Sequence, residues 1–152
     1  MLYLWLVIAF VADRLSKALV SRTMSPGDSL PVVEGVLHLT YVRNPGAAFG
    51  LLTGRTFFLT VITVLMVGGI LWWYHSSRER HLLNPLAAGL LVGGALGNLA
   101  DRIATGQVTD FFDLQVWPVF NVADIAIVVG SLLLALHLWR AGHGEAGDAG
   151  ES

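Results

Sequence analysis

The chain contains no cysteine and very little charge. Without cysteine there are no disulfides, no thiolate metal ligands and no cysteine nucleophile. Charged residues make up 13% of the 152 residues, about half of the ~25% that is usual in soluble domains. So few charges do not cover a water-facing surface, and the mean hydropathy is +0.66. We therefore expect one domain at this length, with lipid as its main solvent.

Basic residues are also scarce, and the net charge is -2. A nucleic-acid partner requires a basic face, so none is expected. The sequence has no HExxH or GxSxG motif, and His38 is expected in a strand or on the surface. A histidine metal site and a Ser-His-Asp triad are therefore not indicated, and we expect neither a metal nor a cofactor.

Four apolar stretches, residues 2–20, 56–74, 85–103 and 118–139, approach the ~20 residues that a membrane-spanning helix needs. Asp13, Arg14 and Lys17 interrupt the first stretch, and no basic residue precedes it, so we interpret it as a retained helix rather than a cleaved signal. The prediction is an all-α integral membrane protein with four transmembrane helices in a single domain, residues 1–140. The Gly-, Ala- and acid-rich residues 141–152 are predicted to be a disordered cytoplasmic tail.

The connections between these stretches indicate how the chain is oriented. In the first, residues 30–33 and 36–42 are predicted strands of a hairpin around Glu34 and Gly35. The second is short and holds Arg78 and Arg80, which favours a cytoplasmic second loop and cytoplasmic termini. The third, residues 104–117, has no basic residue.

Polar residues at membrane depth are functional candidates, because a charge there costs at least ~2.5–3.5 kcal/mol. With the termini inside, they gather in the outer third of the bilayer, on the side from which the loop with Asp110 emerges. Two helices each carry an asparagine three residues before an aspartate, and Asp13 lies four residues before Lys17 and is able to pair with it. The candidates are Asp13, Asn98, Asp101, Asn121 and Asp124.

With metal sites and histidine triads not indicated, the groups left to carry a reaction in this cluster are carboxylates and amides. Two neighbouring carboxylates share one proton, so that one activates water while the other donates a proton to the substrate. From the residues alone, Asp101, Asp110 and Asp124 all remain candidates for the pair. Asp101 with Arg102, and Asp13 with its neighbouring cations, are equally interpretable as structural ion pairs. Asp113 is predicted to be a solvated loop residue.

Two other classes of protein are weighed against an enzyme. A small ion or proton transporter also uses intramembrane carboxylates, but it needs polar residues across the whole membrane depth, and the second apolar stretch is nearly free of them. A structural or chaperone-like subunit needs no clustered carboxylates. In the third stretch, Gly89, Gly93 and Gly97 recur at four-residue steps, which predicts a seam where another helix approaches closely.

The chain resembles the lipoprotein signal peptidases, or signal peptidase II family, over nearly its full length. The segments that carry the resemblance are DRLSK (13–17), NPGAAFG (44–50), GGALGNLADR (93–102), VTDF (108–111) and FNVAD (120–124). The resemblance implies an aspartic endopeptidase of the bacterial cytoplasmic membrane. We expect a monomer that needs no cofactor. It would cut lipidated prolipoproteins before a diacylglyceryl-modified cysteine, near the extracytoplasmic face.

The same resemblance assigns roles to individual residues. It selects Asp110 and Asp124 as the catalytic aspartates. It also implies that the first loop forms an extracytoplasmic sheet that embraces the substrate. The segment between Asp110 and Asp124 is shorter than is usual in the family, which bears on the shape of the third loop. The positions that the resemblance matches to substrate-binding or orienting polar residues are Asp13, Asn44, Asn98, Asp101, Arg102 and Asn121.

Overall fold

The computed structural model describes residues 1–46, 56–76 and 85–148, with only the backbone described from residue 141 onward. Three sequence-based predictions fall on other residues. Residues 47–50 of the NPGAAFG segment, Arg78 and Arg80 of the second loop, and residues 149–152 of the predicted tail lie outside the described residues.

Within these ranges the chain forms four helices and one three-stranded antiparallel sheet. The helix positions agree with the four predicted apolar stretches, whereas one strand lies where only a loop is predicted. The helices are α1 (Leu2–Thr23), α2 (Thr56–Ser76), α3 (Pro85–Thr105) and α4 (Val122–Asp148), and the strands are β1 (Ser29–Val33), β2 (Leu37–Asn44) and β3 (Val108–Asp113).

Helix α4 differs from its prediction at both ends. It begins at Val122 rather than at residue 118, because Phe120 pairs with Phe112 as an extension of the sheet. Asn121 and Asp124 then cap the first turn reciprocally, with backbone-to-side-chain hydrogen bonds of 3.0 and 3.1 Å. At the other end the helix continues to Asp148, into the segment predicted to be a disordered tail.

Helix α3 is the centre of the bundle and packs against α1, α2 and α4. In its apolar window 67% of the residues are buried, against 6% in α2 and 17% in α4. The predicted glycine seam is confirmed. A Cβ at Gly93 would lie 2.5 Å from the Leu6 carbonyl oxygen, and one at Gly94 would lie 2.5 Å from that of Ala123. Helices α1 and α4 can approach α3 this closely only where it carries glycine.

The outer faces of the helices are apolar. Among the described residues, α2, α3 and residues Val122–Arg140 of α4 are long and apolar enough to cross a membrane. Phe57, Leu65 and Trp72 on α2 are largely exposed, as is Leu132 on α4. A continuous apolar surface of this kind suits lipid rather than water. Helix α1 is equally long but carries Asp13, Arg14 and Lys17, and it is not among these three.

The predicted hairpin is present, with β1 and β2 antiparallel and Gly35 in the turn at φ 71°. The third strand, β3, comes from the connection between α3 and α4 and pairs with β2. Tyr41 of β2 and Phe111 of β3 pack with Val20 of α1 in one buried cluster. The sheet is thereby fixed onto the ends of the helices.

Asp113 is not the solvated loop residue that the sequence predicts. It is the last residue of β3 and is half-buried. Its Oδ2 accepts a hydrogen bond of 2.8 Å from the Thr40 hydroxyl, and its Oδ1 accepts one of 2.8 Å from the Gln115 backbone N–H. The pairing of β3 with β2 brings Asp113 to the neighbouring strand.

Candidate active site

Asp110 lies in the middle of β3, and the strand pairing determines its surroundings. Val42 is its partner in β2, and Asn44 is paired with Val108. The Asn44 Nδ2 therefore reaches the Asp110 Oδ2 at 2.9 Å, while the Asn121 Nδ2 donates to the Asp110 Oδ1 at 2.6 Å. Only 3% of Asp110 is exposed, so two neutral amides hold a buried carboxylate.

Asp124 lies in the first turn of α4 and is half-buried. Its Oδ1 accepts a hydrogen bond of 2.8 Å from the Asn98 Nδ2 on α3. Its Oδ2 accepts one of 3.1 Å from the Asn121 backbone N–H. The capping of α4 thus orients this carboxylate.

Asn121 joins the two carboxylates. It is fully buried, and it contacts Asp110 through its side chain and Asp124 through its backbone. Its Nδ2 also lies 3.1 Å from the Asn98 Oδ1. The predicted site residues Asn44, Asn98, Asp110, Asn121 and Asp124 are therefore one connected hydrogen-bond network.

Burial raises the pKa of Asp110 to about 6. The hydrogen bond from Asn44 acts in the opposite direction, the negative charge of Asp124 raises the pKa further, and the hydrogen bond from Asn121 lowers it. A carboxyl group with a pKa raised into this range suits acid–base chemistry near neutral pH.

A second cluster around Lys17 supports this network. Lys17 is the single lysine of the chain, and its side chain is 2% exposed. Its Nζ contacts the Asp13 Oδ2 at 2.9 Å, the Asp101 Oδ2 at 3.0 Å and the Asn98 Oδ1 at 2.8 Å. The pairing with Asp13 is predicted by the four-residue spacing. The contacts with Asn98 and Asp101 have no sequence signal, because these residues belong to another helix.

The predicted ion pair between Asp101 and Arg102 is wrong. Asp101 pairs with Arg14 and Lys17 of α1, because adjacent residues of a helix do not face each other. The Asp101 Oδ2 also accepts the Thr109 backbone N–H of β3 at 3.2 Å.

Asp13 ties α1 to the start of α4, since its Oδ1 accepts the Ala123 backbone N–H at 3.0 Å. Gly97 of α3 leaves room for this carboxylate, because a Cβ there would overlap with it. The third glycine of the seam thus serves the site as well as the packing.

Arg102 faces the two carboxylates from α3, and its charge acts on both Asp110 and Asp124. Its Nε is buried and has no hydrogen-bond partner among the described residues. In that part of the chain, no group of three or more His, Asp or Glu side chains is arranged to hold a metal ion. Arg102 therefore supplies positive charge that acts on the two carboxylates.

An apolar groove of about 390 Å³ opens beside Asp124. It lies between α4 and the segment that follows β3, and Asp124 is its one charged wall residue. The other residues of its wall are Leu114, Trp117, Phe120, Ile125, Val128 and Val129. A ligand in this groove is therefore apolar where it contacts the wall and meets a carboxylate at one point.

A bundle of apolar helices with acid–base groups collected at one end has the features of a membrane enzyme. Two solved structures, each described as a bacterial membrane enzyme, have this fold. One has a TM-score of 0.82 at 34% identity and covers 90% of this chain and 86% of its own. The other has a TM-score of 0.79 at 34% identity and covers 89% and 90%.

The family described as signal peptidase (SPase) II matches residues 5–140. The lipoprotein signal peptidase of Halothermothrix orenii is 45% identical, over 92% of this chain and 96% of its own length. That of Pelotomaculum thermopropionicum is 47% identical, over 88% and 90%. The chain belongs to the signal peptidase II family, which confirms the resemblance found in the sequence.

The Lys17 cluster predicts a large stability effect. Lys17→Met leaves the buried Asp13 and Asp101 without the ammonium that lies between them, and breaking such a buried pair costs roughly 3–5 kcal/mol. We expect a clearly lower unfolding midpoint in detergent, measured by far-UV circular dichroism. Arg140→Met, at an exposed position in the C-terminal half of α4, should change the midpoint little. Adding Asp13→Asn to Lys17→Met should restore part of the loss, and equal midpoints for Lys17→Met and the parent would contradict the assignment.

Proposed function

We propose that this protein is an aspartic endopeptidase that removes signal peptides from bacterial prolipoproteins, cutting before a diacylglyceryl-modified cysteine. The observation that carries the proposal is the pair Asp110 and Asp124, bridged by Asn121 at the edge of an apolar groove. A transporter is less well supported. The buried polar and charged side chains of the described residues, Asp13, Lys17, Asn98, Asp101, Asp110 and Asn121, all belong to the two connected clusters at this end.

In the proposed reaction, one water molecule is the nucleophile. The ionised Asp124 accepts its proton as the oxygen attacks the carbonyl carbon of the residue before the cysteine. The protonated Asp110 donates its proton to the cysteine nitrogen as the C–N bond breaks. The products are the free carboxyl end of the signal peptide and the free amino end of the lipoprotein, and the chemistry requires no cofactor.

The remaining polar residues orient these groups. Asn44, Asn98 and Asn121 fix the carboxylates with neutral donors, which position them without supplying a counter-charge. The positive charge of Arg102 acts on both carboxylates and would stabilise the negative charge that develops on the scissile carbonyl oxygen. Asp13 and Asp101 act one step further away, through Lys17.

In this proposal the groove is the binding site for the lipid of the substrate. Its apolar wall accommodates acyl chains, and a cysteine attached to them would bring its peptide bond to Asp124. Binding energy from a part of the substrate that does not react then positions the scissile bond. An unlipidated precursor lacks this attachment and should be a poor substrate.

We further propose that α1 is the fourth membrane span. Its 22 residues extend about 33 Å at 1.5 Å per residue. Asp13 and Lys17 are buried against α3, while Val7, Leu15 and Leu19 on the other side of α1 are exposed. The helix therefore presents an apolar face to lipid and keeps its charges inside the bundle, as intramembrane charges generally are.

With four spans both termini lie on the same side of the membrane, and we propose that this is the cytoplasmic side of the bacterial inner membrane, with the sheet outside. Reporter fusions test this orientation. A reporter enzyme that works only in the cytoplasm should be active when fused after Arg140. A reporter that works only outside the cytoplasm should be active when inserted within residues 26–34. A C-terminus found outside the cytoplasm would contradict this orientation and would put the site at the cytoplasmic face. The protein is proposed to act as a monomer.

The catalytic assignment predicts that Asp110→Asn and Asp124→Asn each lose cleavage of a lipidated prolipoprotein. General acid–base groups contribute roughly 10²- to 10⁴-fold, and residues that act as a unit often more. Asp113→Asn is the matched control, because it makes the same change three residues along the same strand and should alter turnover little. Gel assays with lipidated and unlipidated precursors would measure both effects. A folded, active Asp110→Asn protein beside an inactive Asp101→Asn protein would overturn the assignment.

The pH dependence tests which carboxyl group carries the proton. Asp110, with its pKa raised to about 6, is protonated below that pH and loses its proton above it. The rate should therefore fall as pH rises through the higher apparent pKa of the pair. The hydrogen bond from Asn44 lowers the pKa of Asp110, so Asn44→Ala should move this limb to higher pH. A shift to lower pH would contradict the assignment of the proton to Asp110.

A further inference from the structure

A second cavity, of about 320 Å³, lies between α1, α3 and the sheet. It shares no lining residue with the apolar groove beside Asp124. Three arginines line it, Arg14 and Arg22 from α1 and Arg43 from β2, together with polar groups that include Tyr41 and Thr105. The cavity is thus polar and basic where the groove is apolar.

The charges around this cavity do not cancel. Its one acidic wall residue is Asp101, which is already paired with Arg14 and Lys17. Lys17 also pairs with Asp13, so these two carboxylates and two cations are neutral together. Arg22 and Arg43 remain, and within the described ranges neither forms an ion pair. The cavity therefore has an excess of two positive charges and suits an anion.

An apolar surface leads along α1 to the same cavity. Leu15 and Leu19 are exposed, and with Arg22 they lie at i, i+4 and i+7 on one helix face. In the proposed orientation this surface faces the outer leaflet, and Arg22 lies at the level of the headgroups.

We infer that this cavity binds the phosphate of an anionic phospholipid in the outer leaflet, with an acyl chain along Leu15 and Leu19. Arginine suits this role, because its guanidinium forms paired hydrogen bonds with phosphate oxygens. The diacylglyceryl group on a prolipoprotein cysteine is neutral and has no phosphate, so the substrate does not account for the arginines. The ligand is therefore a second lipid, distinct from the one that is attached to the substrate.

Lipid binding to the purified full-length protein, measured by native mass spectrometry from a neutral detergent, tests the inference without relying on cleavage. Phosphatidylglycerol should bind more tightly than phosphatidylcholine with the same acyl chains. Arg22→Gln and Arg43→Gln should each weaken phosphatidylglycerol binding about fivefold, and the double variant about 25-fold, as the loss of one surface cation each implies. Arg140→Gln, at the other end of α4, should leave binding unchanged.

Two further measurements separate the alternatives. Glycerol phosphate, which has the anion but no acyl chains, should bind far more weakly than phosphatidylglycerol; equal binding would make the site one for a soluble phosphate and overturn the inference. Equal binding of the two phospholipids by the parent protein would also overturn it, and so would unchanged binding in the folded double variant. Far-UV circular dichroism establishes that each variant is folded, and the lipid comparison on the parent decides the matter should a variant not fold.

Discussion

The Lys17 ammonium group lies where the elements of this protein meet, and its Nζ is within 3.0 Å of oxygen atoms of Asp13, Asp101 and Asn98. Removing an ammonium from water costs several kcal/mol, so it is found inside a protein only where acceptors replace the water. Its acceptors are themselves connectors. Asp13 binds the first turn of α4, Asp101 binds β3, and Asn98 binds Asp124. One buried cation on α1 thereby determines how α3, α4 and the sheet come together.

The groups that contact each carboxylate distinguish Asp101 from Asp110 and Asp124, which the sequence alone leaves equivalent. Asp101 is contacted by cations, which stabilise its ionised form. Asp110 and Asp124 accept hydrogen bonds from neutral amide groups, which hold a carboxylate in place without supplying a counter-charge. Hydrogen bonds of this kind are strengthened in a low-dielectric interior. The difference favours Asp110 rather than Asp101 as the partner of Asp124, on grounds independent of the family resemblance.

Periodic and local features of the fold were predictable from sequence. The positions of four helices follow from apolar runs, the hairpin from two short strands around Gly35, and the Asp13–Lys17 pair from helical spacing. Strand β3 was not predictable. It has six residues, and it forms a strand because it can pair with β2, more than 60 residues earlier in the chain. The contacts of Asn44 with Asp110 and of Lys17 with Asn98 depend in the same way on tertiary packing. For this reason the sequence alone did not show which of Asp101 and Asp110 is the partner of Asp124.

The two proposed catalytic carboxylates belong to different structural layers. Asp124 is carried by a helix of the bundle, whereas Asp110 is carried by a strand whose position depends on pairing with β2. Insertion of the helices alone therefore does not bring these two carboxylates together. A newly made chain would remain inert during insertion, and activity would appear only after the sheet closes over the ends of the helices. The order of assembly would thus protect other membrane proteins, and the chain itself, from cleavage by a half-folded protease.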